Sequence, residues 1–132
     1  MRKITVKGLM NKNWNMVRAI IRKLRGEACE LCGSTFQLQV DHCFSRTKKQ
    51  IFYWLENLTL LCCKCHTAKS YNQSDYVLKV FEHVEDREGS EKFLEMRKIA
   101  AKNGPLRDWS KRWYQEEWFE KLNEKMKGLE HG

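Results

Sequence analysis

The first part of the chain shows two different spacings of apolar residues. In "RKITVKGL", Ile4 and Val6 alternate with polar or basic neighbours, which is typical of a short edge strand. From Trp14 onward the apolar residues recur three or four positions apart, and Gly26 follows where a helix often ends. The pattern therefore predicts a basic extension over residues 1–26 that consists of a short strand and an amphipathic helix.

The middle of the chain predicts a β-hairpin. In "FQLQVDH" the residues Phe36, Leu38 and Val40 alternate with polar neighbours, as in a half-buried strand, and residues 58–61 form a second strand-like segment. The connection "CFSRTKKQIFYWLE" is basic and aromatic, and its length favours a functional role. The second segment runs into "CCKCHTAKSY", where a helix is expected to start.

Beyond Gln73 the helical period returns in three pieces, which predicts a helical extension over residues 74–132. Ser74 and Ser90 are suited to cap the first two helices, and Gly104 with Pro105 would end the second. The apolar positions that define the three faces are Val77, Val80, Phe81 and Val84; Phe93, Leu94 and Ile99; and Tyr114, Trp118, Leu122 and Met126.

The composition indicates one small domain with appendages and a polyanionic partner. The 132 residues carry a formal net charge of +8, which favours nucleic acid, with DNA the first expectation. No apolar run approaches the roughly 20 residues of a membrane span, and the N-terminus lacks the features of a signal peptide. We therefore expect no membrane association and an intracellular, cytoplasmic location.

This location determines how the six cysteines are interpreted, because thiols in a reducing compartment are more often metal ligands than disulfides. Two Cys-x-x-Cys turns can each supply two thiolates to one tetrahedral zinc ion. Cys43 and Cys63 fall outside this spacing and are not expected to bind it. The four candidate ligands of the structural Zn²⁺ are Cys29, Cys32, Cys62 and Cys65.

Several polar residues near these cysteines are not needed by a four-thiolate site. Asp41 with His66 could hold a divalent cation such as Mg²⁺ or Mn²⁺, and His42 has a suitable pKa for a general base that activates water. The alternative is that either histidine has only a structural role. Four basic residues are candidate phosphate contacts or ordinary surface charges: Arg46, Lys48, Lys49 and Lys69.

Together, "CELCG", "VDH" and "ENLTLLCCKCHTAK" resemble the HNH endonuclease signature in its four-cysteine form. The resemblance implies a small α+β fold, with a zinc-stabilised ββα-metal (treble-clef-like) core over residues 27–73 and flanking helices that are mostly C-terminal. It also implies that His42 is the general base, that Asp41 and His66 bind the catalytic metal, and that Asn57 holds the loop and His42 in place. DNA phosphodiesters would be hydrolysed to a 5′-phosphate and a 3′-hydroxyl.

More narrowly, "DHCFSR", "ENL" and "CKCH" are similar to phage recombination endonucleases of the lambda NinG (Rap) type, which act on branched or strand-invaded DNA. General HNH enzymes often have a proline shortly after the Asp-His pair, where this chain has Ser45 and Arg46. The competing hypothesis is a non-catalytic treble-clef zinc finger that binds nucleic acid, and single-stranded DNA or an RNA substrate also stays open. Adjacent strand residues face opposite sides, so Asp41 and His42 can share a site only if the strand ends or twists there.

Overall fold

The hairpin lies at the centre of the computed structural model, which describes residues 3–71, 73–102 and 104–131. Strands β1 (Leu38–His42) and β2 (Leu58–Cys62) pair antiparallel, with Leu38 opposite Cys62 and His42 opposite Leu58. Every residue of β2 is buried, because four of its five side chains are apolar and both faces are covered. In β1 only Asp41 is buried, so this strand is the more exposed of the two.

Within the described ranges the chain forms five α-helices around this hairpin. They are α1 (Val6–Arg25), α2 (Cys63–Ser70), α3 (Ser74–Glu88), α4 (Ser90–Ala101) and α5 (Arg112–His131). The expected combination of a small β-hairpin with mostly C-terminal helices, an α+β fold, is confirmed at this level. None of the described helices has the length and apolarity needed to cross a membrane.

The expected edge strand at the N-terminus is wrong, because residues 3–5 lack regular structure and α1 begins at Val6. Thr5 caps the helix, its Oγ1 accepting a hydrogen bond from the amide of Gly8 at 3.0 Å. Leu9 is already buried, so the helical spacing of apolar residues extends two turns further back than expected. Gly26 ends the helix in the left-handed conformation (φ 78°), as its position indicated.

The three expected C-terminal helices are present, with differences at their starts and faces. Ser74 and Ser90 are the first helical residues rather than the caps, and Gln73 and Gly89 occupy the cap positions. In α4 the side chain of Leu94 is 49% exposed, whereas Met96 is fully buried. The buried face of α4 is therefore set by its packing against α3 and the connection, which the apolar spacing alone did not define.

A buried polar network joins α1, α5 and the connection between the strands. Asn13 donates from Nδ2 to the backbone oxygen and to Oε1 of Gln115, at 3.0 and 3.1 Å. The hydroxyl of Tyr53 donates to the same Oε1 at 2.7 Å. Because these groups are buried, a polar atom that lost its hydrogen bond here could not bond to water instead. The network therefore holds the connection against the two long helices.

Candidate active site

The four cysteines expected to bind zinc converge on one point. Cys29 and Cys32 belong to the turn that follows α1, whereas Cys62 ends β2 and Cys65 lies in the first turn of α2. Their sulfur atoms all lie within 4.8 Å of one another, and Cys32 and Cys62 are 3.6 Å apart. Zinc bound tetrahedrally at about 2.3 Å from each sulfur would separate them by about 3.8 Å. The cluster is thus consistent with a structural zinc site.

The other two cysteines lie outside this group. Cys43 is buried at the end of β1, and burial raises the pKa of its thiol to about 12. Cys63, at the start of α2, is half-buried with its sulfur 3.9 Å from Oγ1 of Thr67. The Cys43 side chain therefore packs as a small neutral group.

The first cysteine turn is anchored by Glu30, whose side chain is only 7% exposed. Its Oε1 is 2.7 Å from Arg87 Nη1 and 2.8 Å from His83 Nε2, both on α3. Its Oε2 accepts a hydrogen bond from the amide of Leu60 on β2. This network fixes the turn against the hairpin and α3. No local pattern in the sequence predicts it, because its members are far apart in the chain.

Asp41 lies on the side of β1 that faces α2. Its Oδ1 is 3.0 Å from Nδ1 of His66, and its Oδ2 is 2.8 Å from Nζ of Lys69. Oδ2 has the ion pair with Lys69 but no partner with hydrogen-bond geometry among the described residues. His66 and Lys69 are three residues apart on α2, so both point toward the same carboxylate. Lys69 also donates to the backbone oxygen of His42 at 2.6 Å.

His42 lies on the opposite side of β1, toward α1. Its ring stacks on Trp14, with centroids 5.2 Å apart and planes at 11°, and it contacts Phe52 at 4.5 Å. Its Nε2 is 3.1 Å from the carbonyl oxygen of Phe52. A carbonyl only accepts, so Nε2 carries the proton and Nδ1 keeps its lone pair. Burial lowers the pKa of His42 to about 4, so the ring is neutral near pH 7.

Asn57 is fully buried at the end of the connection, and the side-chain hydrogen bonds it makes among the described residues go to Phe44 and Ile51 and not to His42. Its Oδ1 accepts from the amide of Phe44 at 2.8 Å, and its Nδ2 donates to the carbonyl oxygens of Phe44 and Ile51 at 3.3 and 3.2 Å. Its own carbonyl accepts from the amide of Cys43 at 2.7 Å. Asn57 thus closes the connection into a loop whose far side presents the Phe52 carbonyl.

A cleft of about 960 Å³ brings these groups together. Asp41, His42, His66 and Lys69 all line it, although Asp41 and His42 point to opposite sides of β1. Gln39, Val40 and Cys43 also line the cleft, so it extends along β1 and beyond its last residue, His42. Further lining residues come from the connection and from α1: Arg46, Lys49, Phe52, Asn11 and Trp14.

The basic candidates occupy different positions around this cleft. Arg46 is exposed at its rim, and Nζ of Lys49 lies 4.4 Å from the ring centre of Phe52 and 4.8 Å from that of Trp109. Lys48 is half-buried in the same loop. Lys69 is ion-paired with Asp41 inside the cleft.

Sequence reasoning missed Trp14 as a neighbour of His42. Its place in the apolar period of α1 predicted core packing, and nothing local linked it to a residue 28 positions later in the chain. Nothing local linked Phe52 to His42 either, although Phe52 contacts His42 through both its ring and its backbone oxygen.

Fold and site together define a small α+β protein with a four-cysteine cluster beside a cleft lined by Asp and His. A comparison with protein families matches residues 29–72 to the HNH endonuclease family model. The matched segment is one third of the chain, and it contains the cysteine cluster, β1, β2 and α2. Comparison with curated proteins and with solved structures gave no match.

Proposed function

We propose that this protein is a metal-dependent HNH endonuclease that hydrolyses phosphodiester bonds in DNA, with a ββα-metal core. The observation that carries the proposal is that Asp41, His42 and His66 all line one basic cleft, beside a cysteine cluster that fits zinc. A structural zinc site alone needs none of these three side chains. The family match over residues 29–72 supports the same activity.

Asp41 and His66 would hold the catalytic cation, Mg²⁺ or Mn²⁺. Their nearest ligand atoms are 3.0 Å apart, and neighbouring ligands of an octahedral cation with bonds of about 2.1 Å are separated by about 3.0 Å. Oδ2 of Asp41 is ion-paired with Lys69 at 2.8 Å, so Oδ1, which faces His66, is the carboxylate oxygen that would bind the cation. A bound cation would supply Lewis-acid stabilisation of the charge that develops on the phosphate.

His42 would act as the general base through Nδ1, the nitrogen that does not bond to Phe52. Trp14 and Phe52 hold the ring plane, and burial keeps the ring neutral, so the lone pair of Nδ1 is free near pH 7. Nδ1 takes a proton from water while the water oxygen bonds to phosphorus. The bond from phosphorus to the 3′ oxygen then breaks, which leaves a 5′-phosphate and, after protonation, a 3′-hydroxyl.

Asn57 would have a positioning role, because its three side-chain hydrogen bonds fix the loop that presents the Phe52 carbonyl to His42. Lys69 would hold the Asp41 carboxylate aligned for the cation through their ion pair, and its charge would attract a phosphate that enters the cleft it lines.

Arg46, Lys48 and Lys49 would contact the phosphate backbone from the connection. If they do, replacing all three with Gln should flatten the dependence of DNA affinity on salt, because fewer counterions are released on binding. An unchanged slope would remove this loop from the interface.

The preferred substrate would be branched DNA, in the manner of the phage recombination endonucleases that "DHCFSR" and "CKCH" resemble. Such an enzyme would act in the cytoplasm, where reducing conditions keep zinc-binding thiols reduced.

One observation favours a second candidate, a non-catalytic zinc finger that binds nucleic acid. Lys69 already neutralises Asp41 at 2.8 Å, as in a carboxylate that only stabilises the fold. In that case the cleft would bind phosphate without cutting it.

Incubation with supercoiled plasmid and with branched DNA separates the two candidates. The nuclease should cut in Mg²⁺ or Mn²⁺ and not in chelator, and it should cut the branched substrate faster. Asp41→Asn, which keeps the size of the side chain but removes its charge, should require more metal for the same rate. A parent protein that binds DNA but cuts neither DNA nor RNA with any divalent metal would establish the binding module instead.

A further inference from the structure

The net positive charge of the protein arises in its N-terminal half. Residues 1–71 contain 13 Lys and Arg against 4 Asp and Glu, whereas residues 72–132 contain 12 against 13. The half that holds α1, the hairpin and the cleft therefore carries a net charge of +9, and the remaining residues carry −1. A polyanion would be attracted to this half and not to the C-terminal helices.

The few acidic groups of this half do little to offset its surface charge. Asp41 and Glu30 are buried and ion-paired, and Glu27 pairs with Arg22 at 3.4 Å. Helix α1 itself carries 6 Lys and Arg and no acidic residue. The helix is thus the most uniformly basic element beside the cleft.

One edge of α1 continues the cleft in both directions. Asn11 and Trp14 line the cleft, and Trp14 stacks on His42. Lys7 and Arg18 are four residues before Asn11 and four after Trp14, so the helical period brings them onto the same edge. Both are exposed, and neither has a carboxylate within 4.0 Å among the described residues. With a rise of 1.5 Å per residue, they lie about 16 Å apart along the helix.

We propose that this edge of α1, formed by Lys7, Asn11 and Arg18, binds the phosphate backbone of duplex DNA and guides it into the cleft beside His42. The proposal rests on the proposed nuclease function, to which it adds a substrate-binding surface outside the segment matched by the family model. The separation of Lys7 and Arg18 corresponds to about five steps of 3.4 Å along one DNA strand, so the two charges can contact separate phosphates.

The helix provides its own matched control. Lys12 and Lys23 are also exposed and also eleven residues apart, but they lie about 140° around the helix from Lys7 and Arg18. The variants Lys7→Gln/Arg18→Gln and Lys12→Gln/Lys23→Gln therefore remove the same charge from different faces. Affinity for a fluorescent DNA duplex is measured over a range of salt concentrations in chelator, so that no cleavage occurs and binding is read independently.

The Lys7/Arg18 variant should reduce the slope of log affinity against log salt by about 2, close to 0.9 for each phosphate that these side chains no longer neutralise. The control variant should keep the parental slope. In cleavage assays the Lys7/Arg18 variant should raise KM and leave kcat unchanged, because these side chains do not touch the reacting atoms.

Equal slopes in the two variants, or a parental slope in Lys7→Gln/Arg18→Gln, would overturn the assignment of this surface even if the parent cuts DNA. The parent protein could bind DNA without cutting it, while the slope falls in Lys7→Gln/Arg18→Gln and not in the control variant. That outcome would support the DNA-binding surface and reject the nuclease function. Thermal unfolding of both variants is the check that the fold is intact.

Discussion

Replacing His42 tests the proposed base most directly, and the structure suggests two variants. His42→Ala removes the ring and its hydrogen bond to Phe52. In His42→Gln, the amide nitrogen can still donate to the Phe52 carbonyl, but no basic nitrogen remains. If His42 is the base, both variants should lose cleavage. If it only holds Phe52 in place, Gln should rescue what Ala loses.

The expected magnitudes differ between catalysis and stability. Loss of a general base typically lowers kcat by about 10²- to 10⁴-fold, or about 3–5.5 kcal/mol in the activation barrier. His42→Ala also loses one hydrogen bond, worth about 1 kcal/mol, and stacking on Trp14 and Phe52, worth about 0.5–1.5 kcal/mol. The destabilisation of about 2 kcal/mol is therefore smaller than the catalytic effect, and for His42→Gln it should be smaller still.

The assay measures single-turnover nicking of plasmid in Mg²⁺ or Mn²⁺, together with DNA affinity in chelator and the unfolding temperature. His83→Gln is the matched control, because it makes the same change outside the cleft and Gln can still donate to Glu30. Affinity should be parental in all three variants. Cleavage by His42→Gln at the parental rate, or an equal loss in His83→Gln, would refute the assignment of the base.

Three further predictions concern the metal cluster, the buried ion pairs and pH. Cys62→Ala should lose zinc, measured by elemental analysis, and unfold at a lower temperature, measured by calorimetry. Cys63→Ala, outside the cluster, should keep the zinc content and the unfolding temperature of the parent. Glu30→Ala should lower the free energy of unfolding by about 3–5 kcal/mol in urea titrations, because it leaves Arg charges buried with a partner removed; Glu27→Ala, on an exposed pair, should lower it by less than about 1 kcal/mol. Because the folded pKa of His42 is lowered to about 4 from 6.5, only the unfolded chain binds a proton between these values as pH falls. Without added divalent metal, the free energy of unfolding of the parent should therefore fall by up to about 3 kcal/mol more than that of His42→Gln between pH 6.5 and pH 4. Equal decreases in the two proteins would contradict the lowered pKa of His42.

The amino-acid sequence by itself determined the features that depend on local spacing. The two Cys-x-x-Cys turns, the hairpin and the end of α1 at Gly26 could all be predicted, because metal ligation, strand alternation and helix capping act between residues close in the chain. Local spacing misled at the N-terminus, where Ile4 and Val6 alternate as in a strand. There the packing of a long helix and its Thr5 cap outweighed two alternating residues.

Only the tertiary structure decided how the cleft is built. Asp41 and His42 are neighbours that face opposite sides of β1, and they line one cleft because α2 supplies His66 to one and α1 supplies Trp14 to the other. These contacts join residues 25 to 28 positions apart, and their geometry depends on how the helices pack against the hairpin. The sequence therefore predicts which residue types lie near the site, but it does not predict their orientation, burial or protonation. Those properties arise only when distant segments pack together and exclude water.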